Sequence, residues 1–454
     1  MSGTEPGRRT KRDLKWILAA AILVVVSVFG WILFAPGPTD FAGGRHVTLA
    51  SYQGQNPTGV PPELKAASAV ERGEYLTRAA DCAVCHTTKG GAPFAGGLPF
   101  VLPFGTLYST NITPDAETGI GKYSDADFLA AIHKGFGRNH RPLYPAMPYA
   151  SYTYMSDDDA LAIKAYLFSL KPVRQAAPQN ALVFPFNQRA LMWVWSFLFN
   201  PDKRFEPRVA RSPQWNRGAY LVEALGHCGE CHTPRNLFQA LNNRAKFAGT
   251  VQAGWRAYNI TPDPASGLGA WKDSEIAQYL SMGHADGHGT ATGPMGEAID
   301  EGLSYLAPTD ITAMVAYLRS LPAIASSDLP VINTRPASSL HAEGVAAAID
   351  PQGKAVYEGA CASCHGWSGV SPVIPFATLT GARAVNDSTA NNVAQVILSG
   401  ARRAPRGDGA NMPAFGAAYS DYEIASVANY VTARFGTQPS ALTGERVAKL
   451  RSTE

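Results

Sequence analysis

The sequence predicts an all-α fold, with three tandem helical domains following one N-terminal transmembrane helix. Three observations predict it. A pentapeptide recurs three times, as Cys82-Ala-Val-Cys85-His86, Cys228-Gly-Glu-Cys231-His232 and Cys361-Ala-Ser-Cys364-His365. The same order of short helical patterns surrounds each copy. An uncharged apolar run occupies residues 16–34. At 454 residues the chain is too long for one core. A net charge of +3 without a basic stripe argues against nucleic acid as a partner.

The elements follow in chain order. Residues 1–35 form the expected membrane anchor: the run at 16–34 is long enough to cross a bilayer and long for a signal peptide, so retention is favoured over cleavage. Trp16 and Trp31 lie near its ends, as interfacial aromatics do. Arg8, Arg9, Lys11, Arg12 and Lys15 precede the run, and no Lys or Arg follows it through Gly43. The positive-inside rule then gives a single-pass protein of the cell inner membrane with everything after Phe34 on the periplasmic side. A Gly/Pro-rich tether covers 36–65. Repeat one spans 66–175, a connection 176–210, repeat two 211–325, a Ser/Pro/Ala-rich linker 326–345, repeat three 346–438 and a tail 439–454.

Each repeat opens with a short helix: Arg72-Gly73-Glu74-Tyr75, Arg217-Gly218-Ala219-Tyr220 and Gln352-Gly353-Lys354-Ala355. The glycine admits another helix closely. Middle helices begin near Asp125, Asp273 and Thr389 and stop at Gly135, Gly283 and Gly400. Last helices start at Ser156, Thr309 and Ser420, polar caps followed by acids. Asn111-Ile-Thr-Pro-Asp115 recurs as Asn259-Ile-Thr-Pro-Asp263, which sets repeats one and two apart from the shorter third.

Cys-x-x-Cys-His is the attachment pattern of c-type haem: two thiols bond the porphyrin vinyls and the adjacent histidine meets the iron. A zinc site would need paired motifs close in sequence, and a redox disulfide needs neither the histidine nor repetition. All six cysteines lie in these motifs. The expected cofactors are therefore three covalently bound haem c groups with iron, held by Cys82, Cys85, His86, Cys228, Cys231, His232, Cys361, Cys364 and His365. A sixth iron ligand is needed, and methionine suits electron transfer. Met147, Met295 and Met412 occupy matching loops between middle and last helices, amid Gly and Pro. Met155, Met282 and Met314 do not recur as ligands would, and Met314 aligns with core positions. His133, His140, His284 and His288 do not recur either and are expected on the surface or in loops.

In the 176–210 connection, residues 181–199 are rich in aromatics and too interrupted to span a bilayer. They suit either the membrane surface, where a lipophilic quinone could approach, or packing between domains.

The three motifs, the two NITPD segments and Leu143-Tyr-Pro-Ala-Met147-Pro-Tyr149 resemble the three-haem cytochrome c subunits of bacterial membrane-bound periplasmic dehydrogenases, those acting on alcohols, aldehydes or gluconate. The resemblance runs from about Glu71 to Phe435. It implies three tandem cytochrome c domains, with His86, His232 and His365 as proximal and Met147, Met295 and Met412 as distal ligands. It further implies a separate catalytic dehydrogenase subunit of molybdenum, pyrroloquinoline quinone or flavin type, with aldehyde or alcohol oxidation favoured. Ubiquinone or the respiratory chain would be the acceptor. The alternative is a multihaem catalytic enzyme such as a cytochrome c peroxidase. No dinucleotide fingerprint, nucleophile elbow or phosphate loop is present, so no catalytic residues of its own are expected.

Overall fold

A glycine in the first helix of each repeat lets it cross the last helix with backbones almost touching. The structure, a computed structural model, describes residues 7–34, 45–326, 350–403 and 410–452; along the first helix, side chains are described at 13–28, 30 and 31. Its principal helices are α1 (Gly7–Phe34), α2 (Ala69–Ala79), α3 (Cys82–His86), α4 (Asp125–Lys134), α5 (Asp157–Ser169), α6 (Leu191–Phe199), α7 (Pro213–Tyr220), α8 (Gly229–His232), α9 (Asp273–Met282), α10 (Gly293–Glu301), α11 (Pro308–Arg319), α12 (Pro351–Ala360), α13 (Ala362–His365), α14 (Asn391–Ser399), α15 (Asp421–Phe435) and α16 (Gly444–Arg451). α2 packs on α5, α7 on α11 and α12 on α15. A Cβ at Gly73, Gly218 or Gly353 would overlap the backbone carbonyl of Ala162, Ala313 or Ser426 respectively.

Local sequence sets the helix ends. Ser68, Ser124 and Ser420 form capping boxes with Glu71, Asp127 and Glu423, and Ser156 accepts from the Asp159 amide. The helix expected to start at Thr309 instead begins at Pro308 behind Ala307, where no side chain caps it. α4 and α9 end on Gly135 and Gly283 in the left-handed region, both at φ 71°.

Repeats one and two share one apolar core, which runs from Tyr75 to Leu321; a second core, from Val356 to Leu450, belongs to the third segment. The shared core is closed by a reciprocal exchange. Tyr75 donates to Asp310 Oδ2 at 2.7 Å and accepts from the Ala307 amide. Tyr220 donates to Asp159 Oδ2 at 2.6 Å and accepts from the Ser156 amide. Burial raises both phenol pKa values, so the hydroxyls remain donors. Ala355 stands at the matching position of repeat three, which has its own core.

Two expectations are corrected. The fold is not all-α: strands make up 9% of it against 46% helix. They form short antiparallel ladders, the longest being β1 (Pro99–Leu102) with β2 (Gly105–Tyr108), followed by β3 (Thr250–Gln252) with β4 (Trp255–Ala257) and β5 (Ala401–Arg403) with β6 (Ala410–Met412). Ribbons of two to four residues are too short to leave a period-two pattern in sequence. The second correction concerns the N-terminal transmembrane helix and the single-pass, inner-membrane localisation drawn from it. α1 does form, yet no helix among the described residues is long and apolar enough to cross a membrane. Trp31, read as an interfacial anchor, lies instead under the Arg244 guanidinium of repeat two, 4.3 Å from it.

From residue 45 the tether lies along the body: Val47 donates to Pro207 O, and Arg217 donates to Pro57 O and Gly59 O. The linker from residue 327 lies outside the described residues. The stretch taken as a tail carries α16, whose Val447 and Leu450 are buried in the second core.

The crossing can be tested with alanine, which otherwise favours helices. Gly218→Ala should destabilise by about 1–3 kcal/mol through overpacking. Gly359→Ala in α12, where nothing lies within 4 Å of the added carbon, should be neutral or stabilising. Denaturant midpoints of the two variants check the contrast.

Candidate haem-attachment sites

The three pentapeptides form the one-turn helices α3, α8 and α13, entered in the first two through a left-handed residue, Asp81 (φ 55°) or His227 (φ 34°). None of the six cysteines is paired in a disulfide. Among the described residues no group of three or more His, Cys, Asp or Glu side chains is arranged to hold a metal ion.

The three motif histidines share one arrangement. His86 Nδ1 meets Thr110 O at 2.6 Å, His232 Nδ1 meets Tyr258 O at 2.5 Å, and His365 Nδ1 meets Ala377 O at 2.6 Å. A carbonyl only accepts, so each Nδ1 carries the proton and each Nε2 keeps its lone pair. Burial pushes all three imidazole pKa values down, which favours the neutral ring. A neutral imidazole with its second nitrogen hydrogen-bonded is the donor an iron requires. The donor set fits haem c: two thiols and an imidazole on one short helix, with the ring orientation already fixed.

The NITPD segments supply those carbonyls. Strands β2 and β4 run into Thr110 and Tyr258, each just ahead of the motif's asparagine. Asn111 Oδ1 accepts from the Thr113 amide and hydroxyl at 2.9 and 2.7 Å; its Nδ2 donates to Val173 O at 2.7 Å. Asn259 repeats this with Thr261 at 2.8 and 2.7 Å and with Ile324 O at 2.7 Å. Val173 and Ile324 follow the last helices. The asparagine therefore ties the histidine's acceptor to the end of its own domain. Repeat three has no such asparagine. There Ser371 accepts from the Val373 and Ile374 amides and donates to Cys364 O at 2.7 Å, ahead of the short 3-10 turn Pro375–Ala377.

The methionines are placed less uniformly than their sequence context suggests. Met147 lies in a turn, its amide on Tyr144 O. Met295 is in the first turn of α10 rather than a loop, and Met412 ends strand β6. All three are half-buried against a core. Met155 and Met314 are wholly buried core residues, whereas Met282 is exposed.

The non-recurring histidines are not all peripheral. His284 is buried, with Nδ1 on Thr290 Oγ1 and Nε2 on Asp286. His288 stacks on Trp271 at 3.7 Å. His133 is buried on α4, with its nearest acid, Asp157, 3.5 Å away.

Residues 70–171 match the family model described as cytochrome c, and residues 348–431 match that described as cytochrome c oxidase, cbb3-type, subunit III. The fructose dehydrogenase cytochrome subunit of Gluconobacter japonicus is 39% identical over 428 residues, covering 89% of this chain and 88% of that protein. The gluconate 2-dehydrogenase cytochrome c subunit of Pantoea cypripedii is 40% identical over 404 residues, 85% of this chain and 90% of its own. A nicotinate dehydrogenase subunit of Pseudomonas putida is 39% identical over 435 residues, which are 93% of this chain but 35% of that protein.

Burial and the nearby Arg204 lower the His133 pKa to about 4. Between pH 6.5 and 4 the unfolded chain takes up a proton that the folded chain does not. This contribution is intact above pH 6.5 and is lost as the pH falls to 4. It amounts to roughly 3 kcal/mol at 1.36 kcal/mol per unit. In His133→Gln the acid-side decline of stability should be shallower by that amount, as read from denaturation at stepped pH.

Proposed function

The chain belongs to the family of cytochrome c subunits of dehydrogenase complexes, and from that we propose that it holds three haems c and carries electrons from a catalytic dehydrogenase subunit to ubiquinone. The family itself brings covalently bound haem c and electron transfer within a dehydrogenase complex. The number and positions of the haems rest on one observation: three Cys-x-x-Cys-His histidines, each with Nδ1 held by a backbone carbonyl and Nε2 free.

In this proposal Cys82 with Cys85, Cys228 with Cys231, and Cys361 with Cys364 form the thioether bonds. His86, His232 and His365 are proximal ligands, and Met147, Met295 and Met412 distal ones. Bound haem supplies a one-electron couple. The chain's residues do the rest. The carbonyls of Thr110, Tyr258 and Ala377 hold each imidazole in one tautomer and raise its basicity. The methionine sulfurs would hold the iron from the other side and favour its reduced state. A peroxidase would need one iron left open, whereas every repeat offers a methionine. Substrate oxidation falls to the separate catalytic subunit.

For the acceptor, the proposal uses the surface around α6. Its inner face is packed: Trp193 lies on Phe136 at 4.2 Å, and Trp195 donates to Phe238 O at 2.8 Å. This helix therefore bridges repeats one and two. Its outer face leaves Leu191, Val194, Phe197 and Leu198 in solvent, and Leu237, next in sequence to the Phe238 that packs on this helix, is exposed as well. Such a stripe suits a lipid surface or a lipophilic quinone.

Absorption spectroscopy tests the cofactor reading. Three covalent low-spin haems per chain are expected, with a methionine–iron charge-transfer band in the oxidised state. Replacing one cysteine pair by serine should remove one third of the haem. A high-spin haem that reacts with peroxide would overturn the assignment. The acceptor reading predicts that Phe197→Ser with Leu237→Ser slows ubiquinone reduction roughly tenfold, given the apolar burial lost. An unchanged rate at unchanged haem content would remove this face from the proposal. Both residues are 86% exposed, so the fold should tolerate the change.

A further inference from the structure

The third repeat meets the second at several places, among them Thr290 on Phe376 O and the Arg383 amide on His288 O, and two of the places adjoin the candidate axial ligands of the second repeat's haem. The first is proximal. Tyr258, whose carbonyl accepts the hydrogen bond from His232 Nδ1, has the Arg383 guanidinium 5.2 Å from its ring centroid. Its neighbour on β4 but one, Arg256, pairs with Asp387 at 3.0 Å, and both side chains are almost wholly buried. The Arg256 amide donates to Asn392 Oδ1 at 2.8 Å, and Asn392 Nδ2 donates back to Arg256 O at 2.9 Å.

The second place is distal. Arg403, at the end of β5, is buried and pairs with Asp300 of α10 at 2.8 Å. Its Nη1 donates to Gly296 O at 2.7 Å, the carbonyl directly after Met295. Its Nη2 reaches Met282 O at 3.3 Å. β5 also pairs with β6, in the register Ala401↔Met412 and Arg403↔Ala410. One three-residue ribbon thus carries the third repeat's methionine and an arginine seated on the second repeat's methionine helix.

We propose that Arg403 is a positioning residue for the second haem: it fixes the helical turn that presents Met295 and raises that haem's reduction potential, coupling its distal side to that of the third. This rests on the reading of His232 and Met295 as axial ligands. A buried cation beside a haem disfavours the extra positive charge of the oxidised iron, and a buried anion does the opposite. Arg403 and Asp300 act in opposite senses and nearly cancel while both are present. Removing one leaves the field of the other.

Redox titration of the purified protein, followed by absorbance, tests this. Arg403→Gln should lower one of the three midpoints, by about tenfold in the reduction equilibrium or 59 mV for a one-electron couple. Asp300→Asn should raise the same midpoint, and Arg403→Lys should hold it near its original value. Shifts of equal sign in R403Q and D300N would mark simple loosening and overturn the proposal, as would unshifted midpoints. The ligand assignment is read separately. If Met295→Ala leaves the charge-transfer band at full intensity, Met295 is not a ligand. If that band falls by a third while R403Q titrates like the parent, only the role of Arg403 is lost.

Discussion

Contact between two backbones at Gly73, Gly218 and Gly353 is the constraint from which the rest of the chain takes its geometry. It sets the first helix ahead of the motif: the Cys-x-x-Cys-His turn starts three residues after α2, directly after α12, and in repeat two three residues after the π turn Leu221–Leu225 that extends α7. It also fixes where the last helix exits. In repeats one and two the segment after that exit carries Val173 O or Ile324 O, which hold Asn111 and Asn259. Those asparagines stiffen the turn that follows the carbonyl accepting the histidine proton. The imidazole orientation is therefore set, through four linked contacts, by a helix crossing remote from it. A side chain at the crossing would act on the haem site without touching it.

The same fold is used in two ways for assembling repeats. Repeats one and two exchange Tyr75–Asp310 and Tyr220–Asp159, two equivalent bonds that close a single core. Arg217 adds a two-pronged bond to Asp310, at 2.8 and 2.6 Å. Asp310 and Asp159 are almost fully buried, so a lost partner would strand a charge, and mispairing of the repeats would be costly. The third repeat has alanine in place of the tyrosine and keeps a separate core. It is attached instead by arginine–aspartate pairs, Arg256–Asp387 and Arg403–Asp300. The first union is one shared apolar core closed by symmetric Tyr–Asp bonds, whereas the second joins separate cores through ion pairs.

Much of this was legible in sequence, for definable reasons. Repetition exposed the three motifs, the crossing glycines and the capped helices, because each depends on residue type at a fixed short spacing. The role of NITPD was not legible: Asn111 and Asn259 act on carbonyls some sixty residues away, and no local pattern encodes that reach. The ribbons were missed because two to four residues carry no period. The placement of Met295 was misjudged because Gly293 and Pro294 were read as loop formers, yet proline suits the first turn of a helix, which is where it stands. His133 and His284 lack any sequence mark of burial. The apolar run at 16–34 was read as sufficient for a membrane crossing, but composition says nothing of what packs on the helix end, where Arg244 covers Trp31.

Rigidity between neighbouring motifs has a direct bearing on electron transfer, whose rate falls steeply with the distance between cofactors. Tyr152, just beyond the Met147 turn, donates to Ala80 O ahead of the first motif and lies edge-on to His227 ahead of the second, with ring centroids 5.2 Å apart. Ser151 donates to Glu230, inside the second motif, at 2.6 Å. One short segment of repeat one is thus fastened to both motif helices and to its own methionine turn. Relative motion of the first two motifs would break buried hydrogen bonds. The Tyr–Asp exchange closes the shared core, and Tyr152 with Ser151 turns that union into a set spacing between the first two candidate haem-attachment motifs. The third site is set against the second by Arg403 and Asp387. The chain's order of repeats is therefore also its order of contact, with the second repeat between the other two.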